Sequence, residues 1–253
     1  MTIYNFKKVK GKRVIEWNRG RRRGLEETAD ILGDINKEIN FLLKNKKRIK
    51  ILEVGCGYGK LLLELKKLYG NKIATFGINK EPRWNLKLIR KFGIMEKIFT
   101  KNEIDKNLPK LFITDADNKL PFKSNTFDLV FSQRTIQYIK DKAKYLEELN
   151  RVCSVKGLII SDIQNGAQDS QDRPLELQNR WEIWSNNKKL SIYNVLSKKK
   201  NIKLYIEKGN PQDKCIRINK DPKFNLNLKL ISSIDLHAIN KKWWGIKSIY
   251  ILK

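Results

Sequence analysis

The sequence predicts an α/β protein in which a mostly parallel sheet carries helices on both faces. Short apolar segments with the character of strands alternate with amphipathic segments of helical length along much of the chain. Such an alternation builds right-handed strand–helix–strand units, which place consecutive strands parallel to one another. With 253 residues, 40% of them hydrophobic, the chain is long enough for one such domain with a sizeable core.

A basic segment precedes the first predicted helix. Residues 7–23 hold nine lysines and arginines and one glutamate, and Tyr4, Phe6 and Trp17 supply aromatic rings in the same region. We expect residues 1–24 to form a basic arm that binds phosphates through residues 7–23, and a solvated tail is the alternative. From Leu25 onward, apolar residues at helical spacing predict one helix, residues 25–43, that packs against the main sheet.

Seven strands are predicted after this helix, within a domain that spans residues 25–253. Five of them form a core at residues 49–162, at positions 49–54, 72–78, 111–114, 127–132 and 157–162. Helices are expected at 58–69, ended by Gly70, at 82–92, opened by Pro82 and stopped before Gly93, and at 141–153.

The pattern is weaker over residues 163–253. Residues 175–196 are predicted to be mostly helical, and the last two strands are expected at 201–207 and 247–252. The polar, proline-containing stretch 209–227 between them predicts a loop or an exposed hairpin.

Three glycines follow the first core strand at alternate positions. Gly55, Gly57 and Gly59 allow the backbone to approach a ligand closely, because glycine has no side chain. A dinucleotide-binding turn does the same, but its Gly-x-Gly-x-x-Gly spacing would need a glycine at position 60, where this chain has Lys60. An acidic residue, Glu53, lies two positions before the first glycine.

The stretch ILEVGCGYG resembles motif I of the class I S-adenosylmethionine-dependent methyltransferases, which have a Rossmann-like sheet. The resemblance covers about residues 49–162 and continues through Thr114-Asp115-Ala116, residues 127–132 and Arg151 near the end of the following helix. It implies S-adenosylmethionine as the cofactor, with its methionine part on the glycine loop and its adenine amino group at Asp115. The predicted cofactor-binding residues are Glu53, Gly55, Cys56, Gly57, Gly59, Asn79, Asp115, Ala116 and Ser132.

Position 79 departs from the family pattern. Members carry an acidic residue at the end of the second strand, where it accepts both ribose hydroxyls, whereas this chain has Asn79. An amide oxygen accepts such a hydrogen bond with less strength than a carboxylate. Glu81 is therefore an alternative ribose ligand, and a turn asparagine without a ligand role is the other reading of this position.

Methyl transfer from a sulfonium requires mainly that the acceptor is held in line, so a dedicated acid or base is not needed. The acceptor is expected at the carboxyl ends of the first and fourth core strands, where the strand order reverses. Gln133, Arg134 and Tyr138 follow the fourth strand and are the candidate acceptor-site residues. Arg134 suits a phosphate, although it is equally well explained as a surface charge.

Cysteine and histidine usage gives no support for a metal site or a disulfide framework. Cys56, Cys153 and Cys215 are far apart, and His237 is the single histidine of the sequence. The longest apolar stretches are too short to span a bilayer, so a membrane role is not predicted. We expect a soluble intracellular protein, cytoplasmic or in an organelle matrix.

The net charge of +27 predicts a polyanionic partner. RNA or a ribonucleoprotein, bound through the basic surface and residues 7–23, fits this charge, although a lysine-rich composition explains part of the excess. Three functions remain open from the sequence. They are a methyltransferase acting on RNA or a ribonucleoprotein, a methyltransferase acting on a small metabolite or a protein, and a non-catalytic RNA- or ribosome-binding protein on the same fold.

Overall fold

A computed structural model describes residues 6–9, 12–15, 23–166, 172–207 and 210–253. The helices in these ranges are α1 (Leu25–Leu32), α2 (Ile35–Asn45), α3 (Lys60–Tyr69), α4 (Leu86–Met95), α5 (Ile104–Asn107), α6 (Lys142–Val152), α7 (Leu175–Gln178), α8 (Ile192–Ser197) and α9 (Leu236–Ile239). The strands are β1 (Phe6–Val9), β2 (Lys12–Ile15), β3 (Ile49–Val54), β4 (Ile73–Asn79), β5 (Lys110–Ile113), β6 (Phe127–Ser132), β7 (Cys153–Asp162), β8 (Trp181–Ser185), β9 (Lys188–Leu190), β10 (Ile202–Glu207), β11 (Asn210–Asn219), β12 (Leu228–Asp235) and β13 (Ile246–Leu252).

The main sheet has seven strands in the order β10-β11-β7-β6-β3-β4-β5. The pairs within β7-β6-β3-β4-β5 are parallel, and β11 is antiparallel to both of its neighbours. Six strands therefore run in one direction, and the predicted mostly parallel seven-stranded sheet is confirmed. The strand order reverses at β3, whose neighbours are β4 and β6.

Helices cover both faces of this sheet. Successive residues of a strand point to opposite faces, so Ile51 belongs to the buried cluster that includes residues of α1, α2 and α3, while Leu52 belongs to the cluster that includes residues of α6 and α8. Both residues are fully buried. This arrangement explains why every residue of β3 except Lys50 is buried.

The prediction of one helix over residues 25–43 is wrong, because this stretch forms two helices, α1 and α2. Gly33 has a φ of 78° and ends α1, and the side chain of Asp34 then caps α2 by accepting hydrogen bonds from the backbone N–H groups of Asn36 and Lys37. The apolar spacing continues across this break, and the sequence pattern therefore did not reveal it.

The helix predicted at 82–92 begins and ends later than expected. Asn85 caps α4 by accepting from the backbone N–H of Leu88, so Pro82 lies in the preceding turn and does not open the helix. Gly93 lies inside α4, where a Cβ would approach Leu63 and Ile104 to within 2.8 and 2.9 Å. This glycine permits close helix packing and does not stop the helix. Cys153, predicted as the last residue of a helix, is the first residue of β7.

The predictions for residues 163–253 fail in two places. Residues 175–196 contain the paired strands β8 and β9 between the short helices α7 and α8, and not one helical segment. The stretch predicted as a loop or exposed hairpin contains β11, which lies inside the main sheet with Cys215, Ile216 and Ile218 fully buried. The predicted strand at 247–252 exists as β13 but belongs to a second sheet, β12-β13-β8-β9.

The second sheet is fixed to the main domain through Lys142 at the start of α6. This lysine is fully buried, and its Nζ donates to the carbonyls of Ile139 and Ile246, each at 2.8 Å, and to Ser248 Oγ at 2.6 Å. Burial lowers the pKa of Lys142 to about 7. The second sheet thus lies beside the loop that follows β6.

Of the predicted basic arm, β1 and β2 form an antiparallel pair, and Arg23 and Gly24 are described beside α1. The rest of residues 1–24 lies outside the described residues. Among the helices that the structure describes, none has the length and apolar character needed to cross a membrane.

Candidate functional site

The loop between β3 and α3 can be built only with glycine at its key positions. Gly55, Gly57 and Gly59 have φ angles of 78°, 53° and 66°, which residues with a side chain rarely adopt. A Cβ on Gly55 would lie 2.0 Å from Thr135 Oγ1. The backbone N–H groups of Gly55 and Cys56 both donate to the Ile78 carbonyl, at 2.8 and 3.0 Å, so the loop is held in one position.

Asn79 braces this loop from the end of β4. Its Oδ1 accepts from the Gly57 N–H at 2.8 Å, and its Nδ2 donates to the carbonyls of Gly57 and Trp84 at 3.0 and 2.9 Å. A carboxylate could not make the two donated bonds, which gives a structural reason for the amide at this position. The predicted contact of Asn79 with a ribose stays a prediction. The alternative ligand Glu81 is exposed and forms an ion pair with Arg83.

Two side chains of the loop are packed away from solvent. Tyr58 stacks on Phe92 with ring centroids 5.1 Å apart and meets the edge of Trp84 at 4.6 Å. The Cys56 side chain is buried over Gly77, where a Cβ would meet its Sγ at 2.6 Å. Any contact between Cys56 and a ligand would therefore be made by the Cys56 backbone.

Glu53 lies buried beside the loop in a hydrogen-bonded network. Its Oε1 accepts from Gln133 Nε2 at 3.0 Å, and the same amide nitrogen donates to Thr28 Oγ1 on α1 at 3.0 Å. Its Oε2 is buried and has no hydrogen-bond partner among the described residues. Burial raises the pKa of Glu53 to about 7, although the Gln133 hydrogen bond and the charge of Arg23 act in the opposite direction.

Further charged groups lie next to Glu53 at the carboxyl edge of the sheet. Arg23 Nη2 donates to the Gln133 carbonyl at 3.5 Å, and the Arg134 N–H donates to Asp162 Oδ2 at 2.7 Å. Asp162 is fully buried at the end of β7. Sequence reasoning missed both Arg23 and Asp162 as members of this cluster. An acidic residue that ends a core strand was an available signal for Asp162, whereas no local pattern singles out Arg23 among the nine basic residues of its segment.

The remaining predicted cofactor residues lie at the same edge of the sheet. Asp115 follows β5, where its Oδ2 pairs with Lys80 Nζ at 2.6 Å and its Oδ1 accepts from the Asp117 N–H at 3.0 Å. Ala116 is buried next to it. Ser132 ends β6 fully buried, and its Oγ accepts from the Tyr145 hydroxyl at 2.8 Å. Their contacts with a cofactor stay predictions.

The three candidate acceptor residues do not share one open surface. Gln133 is 1% exposed and donates to Glu53, and its predicted role as an acceptor contact stays a prediction. Arg134 is half-buried, with a φ of 53°, in the turn after β6. Tyr138 is 46% exposed on the short 3₁₀ helix Ile136–Tyr138.

The site fits the cofactor that the resemblance implies. The loop lets a ligand approach its backbone closely, because Gly55, Gly57 and Gly59 carry no side chain. The buried Oε2 of Glu53, which has no hydrogen-bond partner within the described part of the chain, is an available acceptor for a positively charged group. S-adenosylmethionine carries such a group, the ammonium of its methionine part. Glu53, the glycine loop and the β4 and β5 ends would hold it.

Comparisons with known proteins agree with this assignment. Residues 52–161 match the family model described as a methyltransferase domain. Norajmaline N-methyltransferase from Rauvolfia serpentina is 32% identical over 110 residues, which are 44% of this chain and 34% of that protein. Glycine/sarcosine/dimethylglycine N-methyltransferase from Actinopolyspora halophila is 27% identical over 113 residues, 44% of this chain and 18% of that protein.

The match thus spans about a third or less of the length of these curated relatives. Among solved structures, a SAM-dependent methyltransferase from Aquifex aeolicus is 20% identical with a TM-score of 0.45. That alignment covers 75% of this chain and 89% of the other.

Proposed function

We propose that this chain, a member of the class I S-adenosylmethionine-dependent methyltransferases by its domain at residues 52–161, methylates RNA or a ribonucleoprotein. S-adenosylmethionine is the cofactor of this domain, and when bound it supplies a methyl group on a positively charged sulfur. The residues of the chain bind the cofactor at the glycine loop and hold the acceptor in line with it. A catalytic base is not required for this role.

The acceptor would enter where the strand order reverses, between the ends of β3 and β6. The second sheet lies beside this opening, because a Cβ on Gly245 would be 2.8 Å from the Gln137 carbonyl. Tyr138 offers an exposed ring for stacking on a base, and Arg134 offers a guanidinium for a phosphate.

One observation carries the choice of an RNA acceptor: the basic segment ends at the cofactor loop. Residues 7–23 hold nine basic side chains and one acidic side chain. The next residues are fixed beside α3, since the Leu25 N–H donates to Glu64 Oε2 at 2.7 Å. A polyanion bound to this segment would therefore be held next to the site of methyl transfer.

The test is a methyl-transfer assay with S-adenosylmethionine labelled on its methyl group. Total RNA, ribosomal subunits and a mixture of small amines serve as acceptors, and ribonuclease-sensitive label is the expected result. Replacing Arg19, Arg21 and Arg22 with alanine should reduce RNA methylation but leave cofactor binding unchanged. RNA affinity should fall with salt at a log–log slope of roughly −0.7 per phosphate contacted.

A small amine is the second candidate acceptor. It is favoured by the names of the two relatives, both of which are N-methyltransferases of small molecules. Label that appears only in the amine fraction would replace the RNA proposal with this one. Cofactor binding without label in any RNA or ribosomal fraction would also contradict an RNA acceptor.

A further inference from the structure

Arg23 lies at the point where the basic segment meets the domain. Its position is fixed by its neighbours, because the Gly24 N–H donates to Glu27 Oε2 at 2.8 Å and the Leu25 N–H donates to Glu64 Oε2. A Cβ on Gly24 would lie 2.2 Å from that Glu64 oxygen, so the chain packs tightly on α3 here. Since α3 begins where the glycine loop ends, the Arg23 side chain starts from a fixed place beside this loop.

The guanidinium of Arg23 lies among the charged groups at the ends of β3, β6 and β7. Its Nη2 contacts the Gln133 carbonyl, the carboxylates of Asp162 and Glu53 attract it, and Arg134 repels it. Burial lowers the pKa of Arg23, and the two carboxylates partly offset this effect. A guanidinium that is shielded from water and carries five donors is a strong binding group for an entering anion.

The amino-acid end of S-adenosylmethionine brings both an ammonium and a carboxylate. Glu53, whose buried Oε2 has no hydrogen-bond partner among the described residues, provides the acceptor for the ammonium. The carboxylate also needs a partner of opposite charge, because an isolated carboxylate is costly to bury. Arg23 supplies that charge next to Glu53, and a planar guanidinium binds a carboxylate through two parallel hydrogen bonds.

We infer that Arg23 binds the carboxylate of S-adenosylmethionine, so that the N-terminal segment completes the methionine end of the site. This inference rests on the proposed function, since it requires the cofactor to occupy the glycine loop. It also connects the two binding events of the proposed reaction. The basic residues within positions 7–22, which would contact RNA, directly precede Arg23, which would contact the cofactor, in the sequence.

Truncation of the ligand tests this assignment. S-adenosylhomocysteine carries the amino-acid end, whereas 5′-methylthioadenosine lacks it, and calorimetry gives the Kd of each. Arg23→Ala should weaken S-adenosylhomocysteine binding by roughly 10- to 100-fold and change 5′-methylthioadenosine binding by less than about threefold. The affinity of Arg23→Lys for S-adenosylhomocysteine should fall between those of the wild type and Arg23→Ala, because an ammonium keeps the positive charge but cannot donate two parallel hydrogen bonds to the carboxylate. Arg48→Ala, which removes an exposed arginine, is the matched control.

Equal weakening of both ligands by Arg23→Ala would assign the arginine a structural role and overturn the inference. Unchanged affinity for both ligands would overturn it as well, while leaving the proposed function in place. If the wild-type protein binds neither ligand, the proposed function fails together with the inference.

Discussion

The two predicted ends of the cofactor site differ in how they are built. At the methionine end, Glu53 and Gln133 are buried, Arg23 is partly buried, and Glu53 Oε2 has no hydrogen-bond partner among the residues that the structure describes. At the adenosine end, formed by Asn79, Lys80 and Asp115, the amide is committed to the glycine loop and the charges lie at the surface. Lys80 is 63% exposed and Asp115 is 30% exposed.

This difference indicates which end of the site should contribute more of the binding free energy. Charges that are shielded from water interact more strongly than exposed ones, so recognition of the zwitterionic methionine part should dominate the affinity. The exposed ion pair at the adenosine end is expected to contribute less than about 1 kcal/mol. The glycine loop lies between the two ends, and both depend on its shape.

The largest expected effect is at the loop itself. Gly55→Ala places a Cβ 2.0 Å from Thr135 Oγ1 at a φ of 78°, and we expect cofactor binding to be lost in a calorimetric titration. Gly70→Ala is the matched control, since Gly70 also has a positive φ but a Cβ there would meet no atom of the described residues within 4 Å. That control should cost about 1 kcal/mol in the free energy of unfolding and leave cofactor binding unchanged. Binding by Gly55→Ala at wild-type affinity would contradict the described loop.

Asn79→Asp restores the acidic residue that the family pattern contains, yet we expect it to weaken cofactor binding. The carboxylate would face the carbonyls of Gly57 and Trp84, which now accept from the amide. Loss of these bonds should lower affinity by roughly 5- to 100-fold and reduce the melting temperature.

Asn85→Asp controls for this change. Asn85 is exposed and caps α4 by accepting from the Leu88 N–H, which a carboxylate does equally well, so the change removes only the surface bond that Asn85 Nδ2 donates to the Pro82 carbonyl. Tighter cofactor binding by Asn79→Asp would show that the ribose contact outweighs the support of the loop.

Cofactor binding should release protons near pH 7. Glu53 has a pKa of about 7 in the free protein, and an ammonium next to its Oε2 would lower that pKa. Calorimetry of S-adenosylhomocysteine in buffers of different ionisation enthalpy measures the protons released, and Glu53→Gln should abolish the release attributable to this carboxyl. Identical proton release by the wild type and the variant would exclude Glu53 as the source.

The same group predicts how stability depends on pH without cofactor. The folded state retains the Glu53 proton up to about pH 7, whereas the unfolded chain loses it near 4.5. The contribution of Glu53 to the free energy of unfolding is therefore full below pH 4.5 and is lost as the pH rises to about 7. Melting curves of wild type and Glu53→Gln across this window should converge toward acidic pH. Parallel curves would contradict the raised pKa.

The smallest effect is expected from Lys80→Ala. Because the Lys80–Asp115 pair is largely exposed, its loss should change the free energy of unfolding by less than about 1 kcal/mol and cofactor affinity by less than about fivefold. If Lys80→Ala lowered cofactor affinity as much as Arg23→Ala does, the two ends of the site would not differ in their contribution to binding.

The sequence predicted most of the main sheet because those elements carry local signals. The β3 strand and its glycines, and Asp141 before α6, are recognisable within a few residues. By contrast, β11 has only a short apolar stretch around Ile216 in a polar region, and its place between β7 and β10 depends on contacts distant in sequence. The strands β8 and β9 were missed for the same reason.

The parts of the site that carry a local sequence signal were predicted, and the contacts between residues distant in sequence were not. The glycine loop follows from residue type and spacing, but the Asn79 bonds to Gly57 and Trp84 depend on how the following turn folds back. Gln133 lies at the predicted strand end, but its hydrogen bonds with Glu53 and Thr28, which are 80 and 105 residues away, were not predicted. Pairings over such distances do not appear in a local pattern.

We propose that the glycine loop and the buried Glu53 network together bind S-adenosylmethionine. Titration of S-adenosylhomocysteine into the wild-type protein at pH 7 measures this binding. We predict one binding site per chain with a Kd of roughly micromolar order, about −8 kcal/mol, and loss of the binding heat in Gly55→Ala. No binding heat and no change in melting temperature with the wild-type protein would show that the glycine loop and the Glu53 network do not form a site for this cofactor.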